Sequence, residues 1–261
     1  MATEPVVLEI DNGVCRLTLN HPESGNALGE HLGQALLQAV DSLRDREEIR
    51  VILLTGTGNT FCVGGDIKNS LSRFETLPED IDRSLTSLHP MIMTLATLPV
   101  PVVSALNGSL GGGGIGLALS ADLVVSTEST KLRGGYSGIG LTPDLGTSWF
   151  LKRRAGAARA KRILFLNESL PAQVCYDWGV FDAVYPDAAF GDEVEVLVHQ
   201  LATGPASSLS KIKALVDEAD RDDLQEQLNR EREVMVAAAR GEEVREGVSA
   251  FLEKRTPLFT G

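Results

Sequence analysis

The stretch "NGSLGGGGIGLALSAD", residues 107–122, contains the feature that decides the fold. Four consecutive glycines, Gly111 to Gly114, stand between an apolar run typical of a strand and an apolar run typical of a helix. Glycine inside a helix or strand lowers stability by about 0.5–1 kcal/mol relative to alanine. A run of four therefore indicates that the backbone there must be free of side chains. We therefore expect this bare backbone to approach another group closely.

Three interpretations of the glycine run stay open. Gly111, Gly113 and Gly116 match the G-x-G-x-x-G pattern of dinucleotide sites, although the helix that follows is short and lacks the acidic partner expected about 20 positions on. The run can also form a close-packed strand-to-helix turn, or a site for an anion or oxyanion at a helix N-terminus. A P-loop is excluded because no Gly-Lys-Ser/Thr follows.

A second glycine pair lies upstream in "FCVGGDIK", residues 61–68. It also follows an apolar strand, "RVILLTG", and leads into a short helical pattern. Two such turns each present a backbone N–H that no side chain obstructs. Two N–H donors that converge on one oxygen form an oxyanion hole, which stabilises negative charge as it develops.

The flanking sequence predicts strands alternating with helices, followed by a helical tail. Residues 6–20 read as a hairpin, residues 29–44 carry apolar side chains at helical spacing, and a further helix runs from Ile81 with Pro90 inside it. Because proline has no N–H to donate, we expect it to kink or restart that helix. From about residue 188 the pattern is almost entirely helical, which indicates an α/β domain with an α-helical C-terminal region.

Composition excludes several classes of protein. The 261 residues have a net charge of −12, which argues against a nucleic-acid binder, and no apolar run is long enough to span a membrane. Cys15, Cys62 and Cys175 are few and widely spaced, so they predict neither a disulfide framework nor a metal site. With no secretory signal at the N-terminus, the sequence predicts a cytoplasmic protein.

Five segments together resemble the crotonase superfamily, the enoyl-CoA hydratases and isomerases. They are "NHPESGNALGEHL", "FCVGGDIK", "PVPVVSALNGSLGGGGIGLALSADLVV", "GIGLTPDLGTSWFLKRRAG" and "FLEKRTPLF", in the family's order along nearly the whole chain. The resemblance implies a crotonase-like α/β spiral of ββα units over residues 1–200, which binds an acyl-CoA thioester. It also implies a C-terminal helical region, residues 201–261, that assembles a homotrimer or hexamer.

The resemblance also implies the binding residues. The oxyanion donors are the N–H groups of Gly65 and Gly113, and coenzyme A enters as the thioester substrate, with no separate cofactor. Asp66 beside the first glycine reads as a structural cap or turn residue on capping grounds. The positions that match substrate-binding positions of the family are Ala27, Val63, Gly65, Asp66, Ile67, Lys68, Gly112, Gly113, Phe251 and Lys254.

The residues at the catalytic positions favour an isomerase. The two glutamates of the family's hydratases fall on Gly116 and Tyr136, neither of which is a carboxylate. Asp144, within "GLTPDLGTS", matches the single base of certain Δ3,Δ2-enoyl-CoA isomerases. From the residues alone, Asp144 also reads as the N-cap of the helix that follows. We predict that it is the base that moves a β,γ double bond to the α,β position.

Other functions remain open. His89 matches a base position of the related 4-chlorobenzoyl-CoA dehalogenases, in which the aspartate at the Asp144 position is the nucleophile, and Tyr136 replaces the tryptophan expected there. His89 can equally be a structural residue beside the apolar stripe of its helix. Enoyl-CoA hydration, hydrolytic or dehalogenating use of Asp144 with His89, and a catalytically silent CoA-binding protein are therefore the alternatives.

Overall fold

The computed structural model describes residues 4–66 and 74–259, and its larger sheet forms the centre of the fold. The six strands of this sheet lie in the order β1-β2-β3-β5-β7-β10. The first two form the predicted antiparallel hairpin, and the others join in parallel. The strands are β1 (Val6–Asp11), β2 (Val14–Leu19), β3 (Val51–Gly56), β5 (Val102–Leu106), β7 (Leu123–Thr127) and β10 (Ala183–Tyr185).

A smaller sheet holds the short strands that follow the central strands of the larger one. Its order is β4-β6-β8-β9, with β9 antiparallel to its neighbour. Because β3, β5 and β7 are each followed within a few residues by a strand of the smaller sheet, the chain repeats a two-strand unit before each helix. These strands are β4 (Thr60–Cys62), β6 (Ser109–Gly111), β8 (Lys131–Arg133) and β9 (Ser169–Pro171).

The helices agree with the predicted pattern, including the helical C-terminal region. In the described part of the chain they are α1 (Glu30–Asp41), α2 (Leu77–Thr97), α3 (Gly113–Leu119), α4 (Thr147–Leu166), α5 (Ala172–Asp177), α6 (Phe190–Ala202), α7 (Ala206–Glu218), α8 (Leu224–Ala238) and α9 (Glu242–Glu253). The predicted α/β fold is therefore present.

The helix does not restart at Pro90, one of the two outcomes expected there. Helix α2 begins at Leu77, four residues before the predicted start, and continues through Pro90 to Thr97. Pro90 and Thr86, whose carbonyl loses its donor, are both exposed, so water can replace the missing hydrogen bond. In a buried helix, where water cannot reach the carbonyl, the same missing hydrogen bond would kink or break the helix.

Two apolar clusters hold these layers together. The larger one joins α1, through Leu32, Leu36 and Val40, to the hairpin and to the glycine-rich helix α3. The smaller one places Val194 and Val198 of α6 against the opposite face of the larger sheet. Burying each such side chain contributes about 1.5–3 kcal/mol, so both faces of the sheet are anchored by helices.

The helices after residue 205 bury much less of their own surface within one chain. Ala250 is a fully buried residue of α9, whereas Val216, Leu224, Met235 and Phe251 are strongly exposed. In the ranges that the structure describes, no helix is long and apolar enough to cross a membrane. The division at residue 200 into a catalytic core and an oligomerisation region stays a prediction.

Candidate active site

One large cavity opens between α1, α2, the glycine-rich turns and the loop that follows β8. Its volume is about 1190 Å³. Its wall includes aliphatic side chains of α1 and α2 as well as the backbone of both glycine turns. Eight of the predicted catalytic and binding residues line this cavity: Ala27, Val63, Gly65, Asp66, Gly112, Gly113, Tyr136 and Asp144.

A buried asparagine fixes the loop on one side of this cavity. The side chain of Asn26 donates to the carbonyls of Thr57 (3.1 Å) and Thr60 (2.8 Å), and its oxygen accepts from the His21 N–H (2.8 Å). The next residues pair with the first glycine turn, because the Leu28 N–H donates to the Gly64 carbonyl at 2.7 Å. The "GNAL" segment is thereby hydrogen-bonded to the first glycine turn, whose Gly65 lines the cavity.

The two predicted donor N–H groups are free of acceptors among the described residues. Neither the Gly65 N–H nor the N–H of Gly113, the first residue of α3, donates a hydrogen bond there. Gly64 lies against the second donor: a Cβ added at Gly64 would stand 2.8 Å from the Gly113 nitrogen. The absence of a side chain at Gly64 therefore keeps the Gly113 N–H open.

The remaining glycines of the run serve close packing. A Cβ at Gly114 would lie 2.3 Å from the Cys62 carbonyl oxygen, and one at Gly116 would lie 2.2 Å from the Leu145 carbonyl oxygen. Neither space admits a side chain unless the backbone moves. The close-packing interpretation is thus correct at these two positions, while the backbone of Gly113 faces the cavity.

Asp144 lies directly against the second glycine turn. A Cβ at Gly113 would stand 3.0 Å from the Asp144 Oδ1 atom, and this same oxygen accepts a 2.5 Å hydrogen bond from the Tyr136 hydroxyl. The N-cap interpretation of Asp144 is wrong, because the residue before α4 is Gly146 and no side chain of the described residues caps that helix. Asp144 contributes its backbone carbonyl, which accepts from the Thr147 N–H at 2.8 Å.

Burial sets the acidity of this carboxyl group. Desolvation raises the pKa of Asp144 above its ordinary value, while the hydrogen bond from Tyr136, the Asp144 backbone N–H and the charge of His89 each lower it in part. Burial and the neighbouring carboxylate in turn raise the pKa of the Tyr136 hydroxyl, which keeps that group protonated. When Asp144 is ionised, the pair is a carboxylate that accepts a hydrogen bond from a neutral phenol.

A left-handed turn presents the carboxylate to the cavity. Leu145 has φ +46° and Gly146 has φ +76°, so two successive residues occupy the region that L side chains rarely adopt. Such a conformation at a buried leucine costs of order 1–3 kcal/mol and persists where the surrounding structure requires it. Here the Leu145 side chain packs on Gly113, which locks the turn onto α3.

Several predicted site residues lie elsewhere. His89 is exposed on α2 and forms no hydrogen bond with the described residues, although its charge acts on Asp144. Phe251, 83% exposed, and Lys254 stand at the end of α9 and do not line the cavity of this chain. Ile67 and Lys68 lie outside the described residues.

The sequence reasoning missed two groups of residues. Lys131 and Arg133 of β8 line the cavity and place positive charge there. Their signal was the alternation in "KLR", in which the buried Leu132 separates two exposed cations. Thr147 was also missed: its buried hydroxyl lies 3.1 Å from the Tyr136 oxygen. No metal-binding cluster of His, Cys, Asp or Glu occurs among residues 4–66 and 74–259.

Comparison with known proteins agrees with the fold. Residues 9–261 match the family described as "Enoyl-CoA hydratase/isomerase". The 1,2-epoxyphenylacetyl-CoA isomerase of Escherichia coli (strain K12) is 38% identical over 260 residues, covering 99% of each chain. The 4-chlorobenzoyl coenzyme A dehalogenase-2 of Arthrobacter sp is 27% identical over 250 residues, covering 95% of this chain and 91% of that protein.

A solved structure of an enoyl-CoA hydratase has the same fold. The crystal structure of an enoyl-CoA hydratase from Polaromonas sp. JS666 superposes with a TM-score of 0.91 at 33% identity, covering 98% of this chain and 99% of the other. The match extends over both sheets and the C-terminal helices, because nearly all of each chain is aligned. The chain therefore belongs to the enoyl-CoA hydratase/isomerase family.

Proposed function

We propose that this protein is an acyl-CoA isomerase that moves a β,γ double bond to the α,β position, with Asp144 as its base. One observation carries the proposal: the desolvated carboxylate of Asp144 lies against Gly113, whose N–H has no acceptor among the described residues. The two positions at which hydratases of this family carry glutamates hold Gly116 and Tyr136. One carboxylate can move one proton, and isomerisation requires no water.

The proposed reaction proceeds through an enolate of the thioester. The thioester oxygen accepts from the N–H groups of Gly65 and Gly113, and the Asp144 carboxylate removes a proton from the α-carbon. The N-terminus of α3 adds its positive end to the same oxygen. Asp144 then returns the proton to the γ-carbon, so atoms and charge balance without a further reactant.

The cations of β8 support binding of the nucleotide end of coenzyme A. The chain has a net charge of −12, so an anionic substrate needs a local basic surface. Lys131 and Arg133 on the cavity wall provide one. We propose that they face the phosphates, in addition to the predicted contacts of Lys68 and Lys254.

The alternative chemistries have less support. Gly116 cannot simply carry a glutamate, because the Leu145 carbonyl occupies the space of its Cβ, which disfavours two-glutamate hydration. Nucleophilic use of Asp144 would need a base to activate water, and the exposed His89 forms no hydrogen bond with the described residues. The E. coli relative is named as an isomerase of a CoA thioester, which supports isomerisation of this substrate class, although its named substrate is an epoxide.

The sign of an absorbance change tests the proposal. We expect the protein to convert a 3-enoyl-CoA to the conjugated 2-enoyl-CoA much faster than it hydrates the 2-enoyl-CoA. Conjugation raises the ultraviolet absorbance and hydration lowers it, so one spectrophotometric assay separates the two reactions. Efficient hydration, or no turnover of either substrate, would contradict the proposal and favour a hydratase or a silent CoA-binding protein.

We also propose that the C-terminal helices assemble a trimer or hexamer. Val216, Leu224, Met235 and Phe251 expose apolar surface that water disfavours. Sedimentation equilibrium should give the mass of three or six chains. As a matched pair, Met235→Glu should weaken the assembly, whereas Glu233→Gln on the same helix should leave it intact. A wild-type chain that sediments as a monomer at micromolar concentration would refute this assignment.

A further inference from the structure

A buried threonine stands behind the Asp144–Tyr136 pair. Thr147 is fully buried at the first position of α4, and its hydroxyl oxygen lies 3.1 Å from the Tyr136 oxygen. That contact is the one hydrogen bond of the Thr147 hydroxyl within the described residues. The hydroxyl has room because Gly116 has no side chain: a Cβ there would lie 2.9 Å from it.

Counting protons fixes the direction of each hydrogen bond. The Tyr136 hydroxyl has a single proton, and at 2.5 Å from the Asp144 carboxylate, which is acceptor-only when ionised, that proton must lie on this bond. The Thr147 hydroxyl must therefore donate to the Tyr136 oxygen. The Asp144 N–H, 3.3 Å away, supplies a second donor to the same oxygen. The Tyr136 oxygen thus accepts two hydrogen bonds, and its own proton is donated to Asp144.

We propose that Thr147 is a positioning residue of the active site, which orients the Tyr136 proton onto Asp144 Oδ1 and so reserves Oδ2 as the base atom. This assignment rests on the proposed function for its catalytic meaning. Thr147 does not line the cavity, so it acts through Tyr136 and does not contact substrate. A hydroxyl whose oxygen accepts a hydrogen bond is polarised and donates its own proton more strongly. The threonine therefore affects the carboxylate through two successive hydrogen bonds.

The groups that face Asp144 come from three directions. Tyr136 precedes the loop that carries Asp144, His89 belongs to α2, and the buried Cys62 of β4 experiences the Asp144 charge. Burial raises the pKa of the Cys62 thiol to about 12, so it stays neutral when Asp144 ionises. Because the charge of His89 lowers the pKa of Asp144, His89→Gln serves as the background in which the Asp144 titration is measured again.

The first test measures the Asp144 titration by carbon-13 NMR on the full chain labelled at its aspartate carboxyl carbons. The Asp144 signal is identified by its loss in Asp144→Asn. We expect Thr147→Val to raise the pKa of Asp144, because the ionised form loses part of its hydrogen-bond support, and Thr147→Ser to leave it as in the wild type. An unchanged or lowered pKa in Thr147→Val overturns the proposal.

The second test measures isomerisation of a 3-enoyl-CoA by the same variants. Thr147→Val should lower kcat by up to about tenfold, the upper end for loss of one hydrogen bond between neutral groups, and leave KM unchanged. The acid limb of the pH–rate profile of Thr147→Val should move to higher pH. Thr147→Ser should restore both kcat and the position of this limb. A purely structural threonine would change the melting temperature without moving the limb, and that result also overturns the proposal.

Two safeguards keep the outcomes distinct. If Thr147→Val does not fold, Thr147→Ala removes the same hydroxyl without adding bulk, and the same titration applies. If the titration moves as expected but no enoyl-CoA is isomerised, the hydroxyl chain stands and the proposed function fails. If Asp144→Asn abolishes isomerisation while Thr147→Val changes neither the titration nor kcat, the function stands and the threonine assignment fails.

Discussion

Asp144→Asn should lower the rate of isomerisation by at least ~10²-fold, the lower range for loss of a positioned general base. Asparagine has nearly the same shape, and its oxygen can still accept the Tyr136 hydrogen bond, so the melting temperature should change little. The measurement is the initial rate of conjugation of a 3-enoyl-CoA, monitored by ultraviolet absorbance. The matched control is Asp177→Asn, an exposed aspartate on α5 whose side chain bonds Gln173.

The pH dependence of the wild type has a defined sign. The base must be ionised, so kcat/KM should rise with pH through the Asp144 pKa and then level off. Because burial raises that pKa, the rise should occur at higher pH than for an exposed aspartate. A near-normal rate in Asp144→Asn would remove the assignment of the base. An acyl adduct on Asp144, trapped by acid quench and detected by mass, would instead identify it as a nucleophile.

The sequence was sufficient for the six strands of the larger sheet and for the helices, because their periodicity is local. The strands β4, β6, β8 and β9 of the smaller sheet have three residues each, too few to show a period, and their pattern did not predict them. Helix α2 shows the limit of such reasoning. The sequence shows that Pro90 has no N–H to donate, but the effect on the helix depends on whether water reaches the Thr86 carbonyl. That exposure is a property of the folded chain. The pattern of one sequence identifies the proline but does not determine the solvent exposure of its surroundings.

The candidate site was predictable in part for the same reason. The two glycine turns and Asp144 were identified by their positions within matching motifs, and Gly65, Gly113 and Asp144 line one cavity. The hydrogen bond between Tyr136 and Asp144 joins residues eight positions apart, across a turn whose left-handed Leu145 has no sequence signal. The capping interpretation failed because that turn directs the carboxylate away from α4.

Gly64→Ala should be the most damaging substitution that leaves every catalytic side chain in place. Its added methyl group would lie 2.8 Å from the Gly113 nitrogen and 2.9 Å from the Gly111 carbonyl oxygen, both backbone atoms that cannot rotate away. Alanine at φ +92° is also strained. We expect kcat to fall about 10²–10³-fold, as for loss of one oxyanion donor.

Gly156→Ala separates the blocked donor from the backbone strain. Gly156 has φ +78° inside α4 and no atom within 4 Å of its added Cβ, so alanine there is strained without a collision. Both variants should melt at lower temperature, but Gly156→Ala should keep its rate per folded molecule. If the two variants lose activity equally after correction for the folded fraction, strain alone explains the loss. If only Gly64→Ala loses turnover while still binding the CoA thioester, the open Gly113 N–H acts on the transition state, because an interaction made equally in the ground state would change KM instead.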